Sequence, residues 1–466
     1  MFKELAVTLA ALQKDNPGIV QLLARPELSP SELVPRLYYF SLTSEKMGVD
    51  EAYQLTPSTA TDAPNDVIEL LRTYRPFATY AYDYVTDQKL NEALGGRGYR
   101  LLMACYDADF ASGCPAYYLA VNQDTSGGVE KGQSQKEIVL CVRGTYSPED
   151  VFTDLIATGC AFECLEAHSK EKKEAQHDVT DAETVAKAHA GMTKTALFLA
   201  DKYGTVLQGL KDGGYRVTLV GHSLGAGVTS LFALYLKQNL GFTPDSLRCF
   251  AFEPPACMER SLSQACEDVV VSLVHADDVV PRLAVTPFYN VLEELVAFDW
   301  RAVGATSSSS GGGGVSMPTA LTLMQRFAGM IPSGGSGSGN GGNENANDEV
   351  QVAETASVVA SIAAGVDGGA AGGKKQSPSD GSAEKPRDET SQFNPNYDPF
   401  VPGRVVFVYS ASPQQQQQDS DTHAADHGVR RKLVGADHPL LRRMRVTSTM
   451  ISDHFIDKEQ FLTALG

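Results

Sequence analysis

Short apolar runs alternate with longer amphipathic ones through much of this chain, and the alternation predicts a fold class. Residues 138–142, 216–220, 248–252, 269–275 and 405–409 are brief, rich in β-branched and aromatic residues, and bounded by turn formers. Such near-continuous hydrophobicity predicts strands buried on both faces. Between them, 185–210 and 224–240 carry apolar residues at helical spacing. Strands alternating with helices predict a mainly parallel sheet flanked by helices, an α/β fold. Residues 1–75 read as helical with no strand of their own, so a helical N-terminal cap is expected, with 66–82 leading into the core. Phe2, Leu5, Leu9 and Leu12 fit one helix face, and a lone Lys3 beside Glu4 argues against a secretory leader.

The pattern breaks after Trp300. Residues 301–400 hold 18 of the chain's 42 glycines, together with serine runs. A stretch of that composition buries too little apolar surface to offset its ordering entropy, which predicts a disordered insertion. Within it, 317–332 is apolar enough for a short helix, and the glutamine and aspartate run at 414–426 predicts a second unstructured loop. The expected organisation is a cap over 1–75, a core over 76–300 resumed at 401–466, and the insertion 301–400 between the two core segments.

A formal charge of −18 argues against nucleic acid as a partner. No stretch approaches the roughly 18 apolar residues of a membrane span. Of the eight cysteines, Cys141 and Cys249 lie in strand-like runs as buried thiols, and Cys160 and Cys164 lack the spacing of a zinc site. A reduced, cytoplasmic protein that meets membranes only at their surface is the expectation.

The chemistry-bearing motif is Gly221-His222-Ser223-Leu224-Gly225. A bare GxSxG is weak, since about 0.3 matches arise by chance at this composition and length. Its context is specific: it follows the run 215–220 and opens the helical stretch carrying Val228, Leu231, Phe232 and Leu234. That is the strand–turn–helix of a nucleophile elbow, in which Ser223 sits on a strained turn and glycines at 221 and 225 admit a close strand–helix approach. The triad order of such folds puts an acid and then a histidine downstream. Asp277 and Asp278, just after the run 269–275, both qualify as the acid. His423, His427, His438 and His454 follow; His454, ahead of the last helical stretch, is the best placed of them.

At these residues the chain resembles the class 3 lipases, and within them the diacylglycerol lipases. Cys141-Val-Arg-Gly-Thr145 is similar to the family's oxyanion strand, Ser147 to Leu155 to its next helix, and His189-Ala-Gly-Met192 to the start of another. Gly221 to Gly227, Cys249 to Pro255, Asp278-Val-Val-Pro-Arg282, Pro402-Gly-Arg404 and Asp453-His454 continue the series in order, over roughly 70–300 and 400–466. The resemblance implies an α/β-hydrolase fold, Asp278 as acid, His454 as base and Asp277 as a solvated neighbour. It also implies Thr145 as an oxyanion donor beside the Leu224 N–H, with insertion 301–400 in the slot that gates access in the family. Animal diacylglycerol lipases carry N-terminal membrane spans that are not found here, so their membrane residence does not transfer.

The expected activity is hydrolysis of acylglycerol, foremost diacylglycerol, through an acyl-enzyme, with a lipid surface as partner. No cofactor or metal is implied, and calcium dependence stays open. Residues 156–187, apolar at first and then charged, read equally as a lid or a solvated loop. Arg143 is expected to brace its loop, and His189 and His222 to be structural. Two rivals share the motif: a small-ester carboxylesterase, separable by acyl-chain preference, and a non-catalytic lipase-like interaction protein, which an intact serine, aspartate and histidine set disfavours.

Overall fold

The computed structural model describes residues 17–109, 112–122, 136–145, 159–161, 186–308, 322, 397–411, 428–456, 461 and 465. The helix resembling 147–155, most of segment 156–187, His423 and His427, and nearly all of insertion 301–400 lie outside the described residues. The chain divides into two compact units, one of Met1–Phe40 with Leu292–Asn396 and the other of Ser41–Val291 with Tyr397–Gly466.

The first unit is helical where described, with α1 (Pro17–Leu23) and α2 (Pro30–Lys46, which runs past Phe40). Within it the buried Arg36 guanidinium donates to the carbonyls of Leu295 (2.8 Å), Val296 (3.2 Å) and Phe298. Trp300 stacks on Tyr39 at 6.1 Å and donates to Glu32 at 3.1 Å.

The second unit is built on a nine-stranded sheet. Its strands are β1 (Thr61–Asp62), β2 (Tyr99–Cys105), β3 (Tyr117–Asn122), β4 (Glu137–Val142), β7 (Arg216–His222), β8 (Leu247–Phe252), β9 (Val270–His275), β10 (Arg404–Ser410) and β11 (Val429–Val434). β5 (Gly159–Ala161) and β6 (Lys187–His189) form a separate antiparallel pair. The order is β1-β11-β10-β9-β8-β7-β4-β3-β2. β4, β7, β8, β9 and β10 run parallel, as the apolar runs predict, and antiparallel strands extend both edges. This is the α/β-hydrolase arrangement. Two strand readings change: the region before residue 75 does contribute a strand, β1, and the helix expected from 185 starts at Ala190 because 187–189 pair with β5.

Both faces of the parallel strands are covered. Helix α3 (Asn65–Asp83) presents Leu71, Tyr74, Phe77 and Ala78 to Val139, Cys141, Val220, Phe250 and Leu273. The alternate residues Ile138, Leu140, Leu219 and Cys249 point the other way and are as deeply buried. Helices α4 (Ala190–Asp212) and α5 (Leu224–Leu240) pack on each other, and α5 also lies on β4, β7 and β8. At the N-terminal end of β4, buried Glu137 accepts from the hydroxyls of Tyr74 (2.6 Å), Tyr99 and Thr218, so a carboxylate is satisfied at the edge opposite the site.

Candidate active site

The site gathers at the carboxyl ends of the parallel strands, where open α/β sheets place their ligands. Ser223 follows β7 and precedes α5 at φ 57°, ψ −131°, a conformation that non-glycine residues rarely adopt. The surrounding glycines make the turn feasible. A Cβ on Gly221 would lie 2.4 Å from the Gly225 carbonyl oxygen, and one on Gly225 would lie 2.3 Å from that of Val142. Gly225 therefore wedges α5 directly onto the end of β4. From there Arg143, Gly144 and Thr145 pass beside the nucleophile, and a Cβ on Gly144 would be 3.0 Å from that of Ser223.

Asp278 follows β9 and is fully buried. One of its oxygens meets His454 Nδ1 at 2.9 Å, and the other accepts from the Val280 N–H at 2.9 Å. Burial alone would raise its pKa, but the charge interaction and hydrogen bond with His454, with the bond from the Val280 N–H, outweigh that and hold it below the usual carboxylate value. With Nδ1 engaged, His454 presents Nε2 as its free ring nitrogen. The buried atoms Ser223 Oγ, His454 Nε2 and Thr145 Oγ1 have no hydrogen-bond partner among the described residues. The Leu224 N–H heads α5, where no carbonyl one turn back can receive it.

A polar chain ties these pieces together. The Gly144 N–H donates to the Tyr82 hydroxyl at 2.9 Å, and that hydroxyl lies 2.9 Å from His222 Nδ1. His222 Nε2 lies 3.0 Å from the His454 carbonyl oxygen. Burial and the adjacent His454 push the His222 pKa down to about 3, so its ring is neutral. A neutral ring fixes the directions: Tyr82 donates to Nδ1, and Nε2–H donates to His454. His222 thus links oxyanion loop, elbow and histidine loop. His189 caps α4 by accepting from the Met192 N–H, and His438 does the same for Leu440.

Asp277 departs from expectation. It is not solvated: its carboxylate is buried against Arg445 at 2.9 and 3.1 Å and accepts from Tyr53 at 3.0 Å. Its N–H donates to the Asp453 carboxylate at 3.0 Å. Arg282, fully buried 4.7 Å over the Tyr53 ring, donates to the carbonyls of Leu440, Ala276 and Asp278. Sequence reasoning assigned no role to Tyr53, Arg282, Arg445, Asp453, Tyr82 or Glu253. A glutamate directly after the apolar run 247–252, at the carboxyl end of a predicted buried strand, was the one visible signal. Among the described residues, the group with metal-ligating potential is Glu253, Asp278 and His454, which shares Asp278 and His454 with the serine site.

Residues 139–288 match the family model described as Lipase (class 3). Over this segment the chain is similar to the class 3 lipases. It is 35% identical over 157 residues to diacylglycerol lipase-beta of Mus musculus, covering 33% of this chain and 21% of that protein. It is 29% identical over 214 residues to diacylglycerol lipase-alpha of Homo sapiens, covering 44% and 18%. The chain thus spans about a fifth of the length of these relatives. Among solved structures, the lipase from Rhizopus microsporus var. chinensis is similar at TM-score 0.35 and 19% identity, with 49% of this chain and 73% of that chain covered. Lip2 lipase from Yarrowia lipolytica is similar at TM-score 0.36 and 18% identity, covering 48% and 77%. Among the described residues no helix is long and apolar enough to cross a membrane.

Proposed function

We propose that this protein is a serine lipase that hydrolyses acylglycerol esters, diacylglycerol foremost, at a membrane or micelle surface. The observation that carries the reading is the strained, buried Ser223 with an unpartnered Oγ, in a site where His454 keeps Nε2 free and gives Nδ1 to buried Asp278. In the reaction, His454 Nε2 takes the Ser223 proton as Oγ attacks the ester carbonyl. Asp278 holds the imidazole in the required tautomer and stabilises the imidazolium. The developing oxyanion is met by the Leu224 N–H at the positive end of α5 and by Thr145, through its N–H and its unpartnered hydroxyl. His454 then returns the proton to the leaving alcohol, and water repeats the sequence on the acyl-enzyme. The diacylglycerol preference is supported by the relatives' names.

The test is fatty-acid release from diacylglycerol in mixed micelles, with a soluble short-chain ester alongside. Ser223→Ala is expected to lower release on the order of 10⁶-fold, to background. Release that survives in Ser223→Ala would remove the assignment. Cleavage of the short ester alone would move it to a carboxylesterase.

A further inference from the structure

We propose that Glu253 is a fourth member of this constellation: a positioning residue whose un-ionised carboxyl donates to Asp278 and, through it, orients His454. Its consequence for the reaction rests on the hydrolase reading; its chemistry does not.

Glu253 directly follows β8 and is fully buried at φ 49°, a conformation that disfavours any side chain. Its backbone is pinned, with the N–H donating to the Leu273 carbonyl at 2.9 Å. Its Oε2 accepts from the His275 N–H at 3.2 Å, while its buried Oε1 has no partner that donates to it. One carboxyl oxygen of Glu253, one of Asp278 and one ring nitrogen of His454 all lie within 4.8 Å of one another. Two fully buried carboxyls at that separation cannot both be ionised, because each charge raises the cost of the other where water cannot screen them.

The surroundings decide which one keeps the proton. Asp278 faces the His454 imidazole and the Val280 N–H, so its charge is compensated. Glu253 has a single backbone donor at 3.2 Å. Of the other ionisable groups around the pair, Arg282 carries a charge that favours an ionised Glu253, but burial and the Asp278 charge outweigh it, and the rest are paired or neutral. Arg282 donates to three carbonyls, Asp277 pairs with Arg445, Asp453 receives the Asp277 N–H, and the neutral rings of His222 and His275 meet backbone oxygens. Burial and the Asp278 charge accordingly push the Glu253 carboxyl well above the ordinary range. An un-ionised Glu253 turns its unpartnered oxygen into a donor, and the Asp278 carboxylate within 4.8 Å is the acceptor we assign to it. That bond draws charge from the Asp278 carboxylate and so weakens its pull on a proton at the His454 ring.

The experiment follows the pH dependence of Ser223 labelling by a fluorophosphonate, which needs no lipid, in wild type, Glu253→Gln and Glu253→Ala. Glutamine places an amide donor towards Asp278 and an acceptor towards the His275 N–H, as the un-ionised acid does. The expected result is a wild-type profile for Glu253→Gln and an acidic limb about one pH unit higher for Glu253→Ala, a tenfold slower labelling at its foot. An unshifted Glu253→Ala profile, or a Glu253→Gln profile shifted as far as that of alanine, would overturn the proposal. Infrared difference spectra of wild type against Glu253→Gln at neutral pH give a second readout, in which a protonated-carboxyl stretch must vanish with the glutamate. Wild type that resists labelling would sink the hydrolase reading, and the infrared band would still decide whether Glu253 is un-ionised.

Discussion

At the elbow, position is set by the absence of side chains. Gly221, Gly225 and Gly144 let three backbone segments approach so closely that any Cβ would meet a carbonyl oxygen at 2.3–2.7 Å. Across the site, the turn after β9 and the loop at 444–456 are set by the presence of side chains: Arg445 on Asp277, Asp453 on the Asp277 N–H, and Arg282 on three carbonyls. The first device works by van der Waals exclusion and is insensitive to pH or salt. The second joins residues far apart in sequence and depends on charge. In the proposed reaction, a serine that stays strained is thus held by steric exclusion, and a histidine that exchanges a proton is held by groups that answer to charge.

The contrast can be broken from either side. Gly225→Val forces a branched side chain onto the Val142 and Arg143 backbone, which cannot rotate away. The expected loss is at the top of the range for single substitutions, about 5 kcal/mol, read as a missing cooperative melting transition at temperatures where wild type is folded. A normal melt would show that the β4–α5 contact yields. On the other side, Arg445→Met leaves the Asp277 charge buried without its cation and is expected to lose about 3–5 kcal/mol in urea unfolding. A loss below about 1 kcal/mol would mean that the Tyr53 bond suffices.

The smallest effect is in pH. Burial pushes the Asp453 carboxyl from 3.8 up to about 7, so the folded chain keeps a proton that the unfolded chain releases. This group's contribution to stability therefore falls as pH rises from about 4 to about 7, and is flat above. Asp453→Asn keeps an oxygen for the Asp277 N–H and the Thr449 hydroxyl, and is expected to remove that slope when urea midpoints are compared across the window. An unchanged slope would show that Asp453 is ionised throughout.

The same division explains what could be read from the sequence. Steric rules are local, so the elbow, the parallel strands and helix Leu224–Leu240 were legible from periodicity and a few glycines. The edge strands were not. β11 reads Val-Arg-Arg-Lys-Leu-Val, polar in the middle, and only its pairing with β10 and β1 makes it a strand. Asp277 and Asp278 were indistinguishable as residues, and the family resemblance chose between them. Asp277 was misread as solvated because its partner Arg445 lies 168 positions away, beyond any local pattern. Glu253 stood inside a recognised motif, yet its meaning depends on Asp278 and His454 arriving beside it.

β9 and β10 are hydrogen-bonded neighbours in the sheet, yet β9 ends at His275 and β10 begins at Arg404. With that pair zipped and Gly403 at φ 66° packed against the Val270 carbonyl, the turn that carries Asp278 and the chain that leads on to His454 start from one sheet frame. The entropy of joining two fixed ends grows only with the logarithm of the span, about 0.6 kcal/mol per doubling. Between Trp300 and Tyr397 the polypeptide can therefore lengthen or shorten at small thermodynamic penalty without moving the strands that carry the site.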